Sequence, residues 1–131
     1  MVAYNFKPRF VEMIEDGRKR QTIRAHRRRH ARPGEPLQLY VGMRTAHCRK
    51  IIADPRCIDV QDVRIWVPRH AEPAAVSSGG RLAYVTPEFA RADGFTDVED
   101  FTRFWFDTHG PGTFSGVLIR WEHAATAEPE P

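Results

Sequence analysis

The apolar residues of this chain arrive in short runs, each closed off by Pro, Gly or Asp, and that punctuation restricts it to a fold built largely from short strands. Val2–Phe6 reads as a first strand. After the turn signal Arg32-Pro33-Gly34-Glu35, Leu37, Leu39 and Val41 alternate as a half-buried strand requires. Thr45–Ala53, Arg56–Asp59 and Asp62–Val67 are further strand candidates. Glu72–Gly80 reads as a loop, Leu82–Val85 as a short apolar run, and Gly116–His123 as a final strand. Helices interrupt this series early and late. Pro8 suits a first helical turn because it has no N–H to leave unpaired; Phe10, Met13 and Ile14 follow at helical spacing, and Gly17 is a stop. Thr86-Pro87 opens a short helix to about Asp93, closed by Gly94. Thr96-Asp97-Val98-Glu99 matches a capping box, with Val98, Phe101, Phe104 and Trp105 forming one apolar face up to Gly110-Pro111-Gly112.

About six strands with helices at both ends predict an α+β domain, a small mixed β-barrel or strongly curved sheet capped by two or three helices. With 131 residues, of which 41% are hydrophobic, the chain reads as one domain over residues 1–123, followed by a disordered tail, 124–131. No stretch approaches the roughly 20 apolar residues of a membrane span, and the first residues lack a secretory pattern. A cytoplasmic protein, monomeric or weakly dimeric, is expected. Cys48 and Cys57 lie nine positions apart within strand-like segments, and are read as buried free thiols.

Charge is distributed unevenly. Residues 1–50 hold 13 Lys/Arg against 4 Asp/Glu, and residues 51–131 hold 7 against 13. The segment Arg18–Arg32 carries eight basic side chains and no acid, a self-repelling cluster that suits a phosphate-bearing partner such as RNA, or a solvated loop.

Phe6-Lys7-Pro8-Arg9-Phe10, then Ile14 and Gly17-Arg18-Lys19-Arg20-Gln21-Thr22-Ile23-Arg24, then Pro33-Gly34 and a strand, resemble the ASCH domain family in order and spacing. Asp93-Gly94-Phe95 before a helix, and the closing strand with Ile119 and Trp121, are similar too. The resemblance implies a PUA-like barrel, a fold associated with RNA. It also implies an activity found among the family's small bacterial members, removal of the acetyl group from the N4 amine of N4-acetylcytidine. By motif position Lys19 and Thr22 match the Lys and Thr of that activity, and Asp93 falls where it uses Glu, one methylene longer. Ribonuclease activity and plain RNA binding are the alternatives within the family. No cofactor or metal is implied.

The residues suit the chemistry. Cleaving an amide needs a nucleophile, a base, a proton for the leaving amine and a stabilised oxyanion. Thr22 supplies a hydroxyl. Lys19 acts as base only if its ordinary pKa of about 10.4 falls toward neutrality, and the like charges Arg18, Arg20 and Arg24 push that way. Asp93 is the candidate proton donor, with Glu88 and Asp97 as substitutes. Arg24, Arg9, Phe10 and Tyr40 are candidate substrate contacts; Phe10 reads more readily as core than as a base platform, and Tyr40 and Tyr84 are aromatics open to stacking on a base, although strand aromatics more often pack. The resemblance implies a modified pyrimidine nucleoside or base as substrate. His26 and His30 have metal-like spacing without a nearby third ligand, and Ser77-Ser78-Gly79-Gly80 lacks the lysine of a phosphate loop.

Overall fold

A computed structural model describes residues 2–70 and 72–123; the tail predicted over 124–131 lies outside the described residues. Two sheets form the framework. In the smaller, β1 (Val2–Phe6) runs parallel to β3 (Leu37–Val41), with Val2 opposite Leu37 and Phe6 opposite Val41, and β4 (Arg49–Lys50) borders β3 antiparallel. The larger sheet contains β2 (Gln21–Ala25), β8 (Gly112–Trp121), β5 (Cys57–Val67), β6 (Ala75–Ser78) and β7 (Arg81–Tyr84), in that spatial order and antiparallel throughout.

Three helices complete the chain: α1 (Val11–Glu15), α2 (Pro87–Ala92) and α3 (Val98–His109). Pro8 opens a 3-10 turn, Pro8–Phe10, that runs directly into α1, and Phe10 and Ile14 turn inward. Gly17 ends this segment at φ +87°. A Cβ there would stand 2.9 Å from the His123 ring, so both conformation and space demand glycine. Thr86 caps α2 by accepting the Phe89 N–H at 3.0 Å, as its sequence predicts.

The architecture is α+β, with the small size and helical caps expected from the sequence. It has eight strands where about six were expected, and among the described residues neither sheet closes into a barrel. Arg56–Asp59 and Asp62–Val67 prove to be one strand, β5. Ten positions of β5 pair with β8, in unbroken register from Asp59 through Asp62, and the one register shift falls before them, between Cys57 and Asp59. The expected loop Glu72–Gly80 contains β6, which turns through Gly79 and Gly80, both at positive φ, into β7. The strand expected over Thr45–Ala53 shrinks to β4, so Cys48 falls in the preceding turn and is exposed, whereas Cys57 is buried. Helix α3 starts one residue later than the capping box implied. Asp97 is the cap, accepting the Asp100 N–H at 2.8 Å, and the Asp100 carboxylate takes the Thr96 N–H at 3.0 Å. No helix among the described residues is long and apolar enough to cross a membrane.

The core lies between the sheets and helices. Tyr4, Leu37, Leu39, Ile65, Leu118, Ile119 and Trp121 are fully buried. At one end Phe10, Phe95, Phe101, Phe104 and Trp105 meet mostly edge to face, at centroid distances of 5.1–6.3 Å. This aromatic end forms a wall of the site.

Candidate functional site

Of two backbone hydrogen bonds beyond α1, one turns the chain back on itself and the other joins the first and third quarters of the chain. Beyond Gly17 the Lys19 N–H returns to Met13 O at 2.9 Å, and the Arg20 N–H reaches Ala92 O, at the end of α2, at 2.8 Å. Asp93, the next residue, is thereby set beside Lys19, 74 positions away in sequence. Both are buried, with relative exposures of 4% and 3%.

The Lys19 stem runs past Gly94, where a Cβ would come within 2.7 Å of Lys19 Cδ; Gly94 sits at φ +97°, open only to glycine without strain. The Lys19 amine donates to Gln21 O at 2.8 Å and to Asp93 O at 2.5 Å. It stands 3.9 Å from Asp93 Oδ1 and lies 4.8 Å from the centre of the Phe10 ring. The Asp93 carboxylate accepts a long hydrogen bond, 3.4 Å, from Gln21 Nε2.

On β2, Thr22 and Arg24 lie two residues apart and so share a face. Arg24 Nε donates to Thr22 Oγ1 at 2.9 Å, and Arg24 Nη2 donates to Asn5 O at 2.7 Å. The guanidinium covers the Phe6 ring at 4.6 Å. Lys19, Thr22, Arg24 and Asp93 all line one cavity of about 190 Å³, walled by Phe10, Phe95 and Trp105.

Burial dominates the electrostatics. Desolvation pulls Lys19 down to about 8, with Asp93 opposing and Arg24 and Arg9 assisting. Desolvation also pushes Asp93 up to about 6, against the pull of Lys19, the Gln21 hydrogen bond and Arg24. Arg24 is lowered to about 10, chiefly by burial. The sequence pointed to Arg18, Arg20 and Arg24 as the groups that depress Lys19, but two of these are engaged elsewhere. Arg18 pairs with Asp16 at 2.8 Å, and Arg20 donates to Gly17 O at 2.7 Å.

Of the candidates named from sequence, Lys19, Thr22, Asp93, Arg24 and Phe10 converge on the cavity, and Arg9 and Tyr40 do not line it. Arg9 stacks over the far side of the aromatic cluster, 5.0 Å from both Phe10 and Phe95, and pairs with Asp100 at 2.7 Å. Tyr40 is set aside by strand alternation: Leu37 and Leu39 take the core face of β3, so Tyr40 faces away, beneath the Lys50 ammonium. The substitute acids are occupied outside the cavity, Asp97 as the α3 cap and Glu88 near Arg91 at 3.7 Å. Tyr84 is exposed on β7. The His30 ring nitrogens engage Tyr4 Oη and Ala25 O, each at 2.9 Å.

One expected contact is not preformed. The Lys19 amine and Thr22 hydroxyl share no hydrogen bond, because backbone carbonyls hold the amine and Arg24 holds the hydroxyl oxygen. The cavity also takes in residues that the sequence did not single out for the site: Asn5, Lys7 and His109. His109 stacks on Trp105 at 4.7 Å, and its position one helical turn after Trp105 was the available signal.

Chemically, the arrangement offers an amine and a carboxylic acid with convergent pKa values, a hydroxyl whose oxygen accepts from a guanidinium, and an aromatic wall. With two N–H groups committed to carbonyls, a neutral Lys19 has its lone pair left for a proton acceptor's role. Because Arg24 donates to its oxygen, Thr22 is left its own proton to give.

Compared with models of known protein families, with curated proteins and with solved structures, the chain matches none of them.

Proposed function

We propose that the chain is an ASCH-type domain of the PUA-like class that removes the acyl group from N4-acylated cytosine or cytidine. The observation that carries the reading is the convergence of Lys19 and Thr22, from one short segment, with Asp93, from a segment more than 70 positions later, as buried polar side chains on one aromatic-walled cavity. Burying such groups without a task costs stability, and sites that shift pKa values in opposite senses are where acid–base chemistry is found.

In this mechanism the pyrimidine ring lies against Phe10 and Phe95. Thr22 Oγ attacks the acyl carbonyl as its proton passes to neutral Lys19, either after rotation about χ1 or through one water. The Arg24 guanidinium faces the negative charge that develops on the carbonyl oxygen. The C–N bond then breaks and the departing N4 amine takes the proton of Asp93; water next attacks the acyl-threonine ester, giving its proton to the Asp93 carboxylate while Lys19 returns its proton to the Thr22 oxygen, which releases the acid and restores the site.

The test is incubation of purified protein with N4-acetylcytidine, following cytidine release, beside Lys19→Ala and Thr22→Ala. Turnover by the wild type and its loss in both folded variants are expected. Intact N4-acetylcytidine, in a preparation that binds or cuts RNA, would overturn the proposal in favour of a non-catalytic RNA-binding module or a metal-independent ribonuclease.

A further inference from the structure

The cavity changes character between floor and mouth. Its volume, about 190 Å³, is below the roughly 300–1,000 Å³ of pockets that enclose a whole small ligand. It accommodates a ring with its substituent, and whatever that ring is attached to must lie at the opening. Lys19, Thr22 and Asp93 are the buried floor. The opening is formed by Asn5, Lys7 and His109, which are exposed, and by half-buried Arg24.

Among the described residues, no acid lines this opening. Asp93, on the floor, is the only carboxylate among the described lining residues. The Lys7 ammonium lies 5.3 Å from the Phe104 ring and has no ion pair among the described residues. Arg24 gives its hydrogen bonds to Thr22 Oγ1 and Asn5 O and, among the described residues, makes no ion pair, Asp93 acting on it only at a distance. Beside it, outside the cavity lining, Arg27 lies 4.6 Å from the Tyr4 ring that Arg24 also faces at 5.4 Å, and among the described residues it donates only to the backbone carbonyls of Arg29 and Ala3. Lys7 and Arg24 line the mouth of a base-sized hollow, and Arg27, outside the lining, is close enough to Arg24 to repel it; these cations are complementary to an anion attached to the base.

We propose that the mouth binds a phosphate ester through Lys7, Arg24 and Arg27, so that the preferred substrate is a nucleotide phosphorylated on its sugar and not the neutral nucleoside. This rests on the reading above, in which the acylated pyrimidine occupies the floor.

Two measurements separate the claims. The first compares kcat/KM for N4-acetylcytidine, its 5′-monophosphate and a short single-stranded oligonucleotide containing the same base. The second titrates cytidine and cytidine 5′-monophosphate calorimetrically at low and high salt. A preference of about ten- to hundredfold for the phosphorylated compound is expected from charge-assisted contacts. That ratio falls severalfold, with Arg24 left to hold the remainder, in Lys7→Met/Arg27→Met, both surface positions whose fold is checked by thermal melting. Better turnover of the oligonucleotide assigns the phosphate to a chain, better turnover of the monophosphate to a free nucleotide, and either upholds the mouth. A ratio near one in the wild type, or one undiminished in the variant, overturns it. Should neither acylated compound be hydrolysed, the amidohydrolase reading falls, and calorimetry still decides the phosphate. Tighter binding of the monophosphate, weakened in the variant, upholds the site; equal or undetectable binding of both compounds overturns it.

Discussion

Replacing the buried pair in Lys19→Met/Asp93→Asn exposes its energetics through pH. Lys19 in the folded protein lies at about 8, below its ordinary 10.5. As pH falls from 10.5 to 8 the unfolded chain takes up this proton and the native state does not, so stability is lost over that interval. Below 8 the full penalty stands, about 3 kcal/mol at roughly 1.4 kcal/mol per pH unit. Asp93 works in the other direction. Its folded value of about 6 lies above 3.8, so stability is lost as pH rises between them, again by about 3 kcal/mol. Between pH 6 and 8 both penalties stand in full, which makes neutrality the least stable point for this pair. The double variant carries neither. The hydrogen bonds lost with the Lys19 amine cost the same at every pH and cancel when variant and wild type are compared at two pH values. From about pH 7 to about pH 9.5 the wild type should therefore gain about 2 kcal/mol relative to the variant. In urea unfolding that is a relative midpoint shift of about 1 M. A constant difference, or a wild type that loses ground as pH rises, would show that the aspartate and the carbonyls stabilise a cationic Lys19 despite its burial, and would refute the reasoning.

Two further outcomes follow from the same geometry. Gly94→Ala forces a side chain onto φ +97° and drives its Cβ to 2.7 Å from Lys19 Cδ and 2.9 Å from Phe10 Cδ1. Strain and overpacking together should cost about 3 kcal/mol, lowering Tm by about 10 °C; a Tm within about 2 °C of wild type would contradict the tight passage of Lys19 past Gly94. If neutral Lys19 and protonated Asp93 act as base and acid, kcat/KM for acyl-cytidine hydrolysis should be bell-shaped, with limbs near 6 and 8 that belong to the pair. A profile flat across that range would remove both from acid–base roles.

Local signals carried much of the fold. Pro8 and Gly17 bounded the first helical segment, Thr86 and Gly94 bounded the second, and the alternation of Leu37, Leu39 and Val41 marked β3. What the sequence concealed depends on pairing at a distance. β5 looks broken at Asp59 and Asp62, and only its ladder with β8 makes it continuous. β6 is half polar, and Ser77 and Ser78 read as loop until the strands beside them are known. The Gly79-Gly80 pair was a legible hairpin signal all the same. At the site, Lys19, Thr22 and Asp93 were named from motif order, but burial of Lys19 ran against its arginine-rich surroundings. No run of charges can show that one lysine in eight cations turns inward. The bond from Arg24 to Thr22 was within reach of strand periodicity, since the two residues share a face of β2. The contribution of Asn5, Lys7 and His109 was not, because it depends on where three separate elements meet.

The pairing of β2 with β8 has a consequence for biosynthesis. Gln21 lies opposite Arg120 and Arg24 opposite Val117, so among the described residues the strand bearing Thr22 and Arg24 gains its one ladder from β8, which is translated long after it. Contacts so far apart in sequence close slowly. A nascent polypeptide on the ribosome can assemble β1 with β3 well before the hollow exists, and any shortened product ending before β8 leaves β2 an unzipped ribbon, prone to stick to its neighbours.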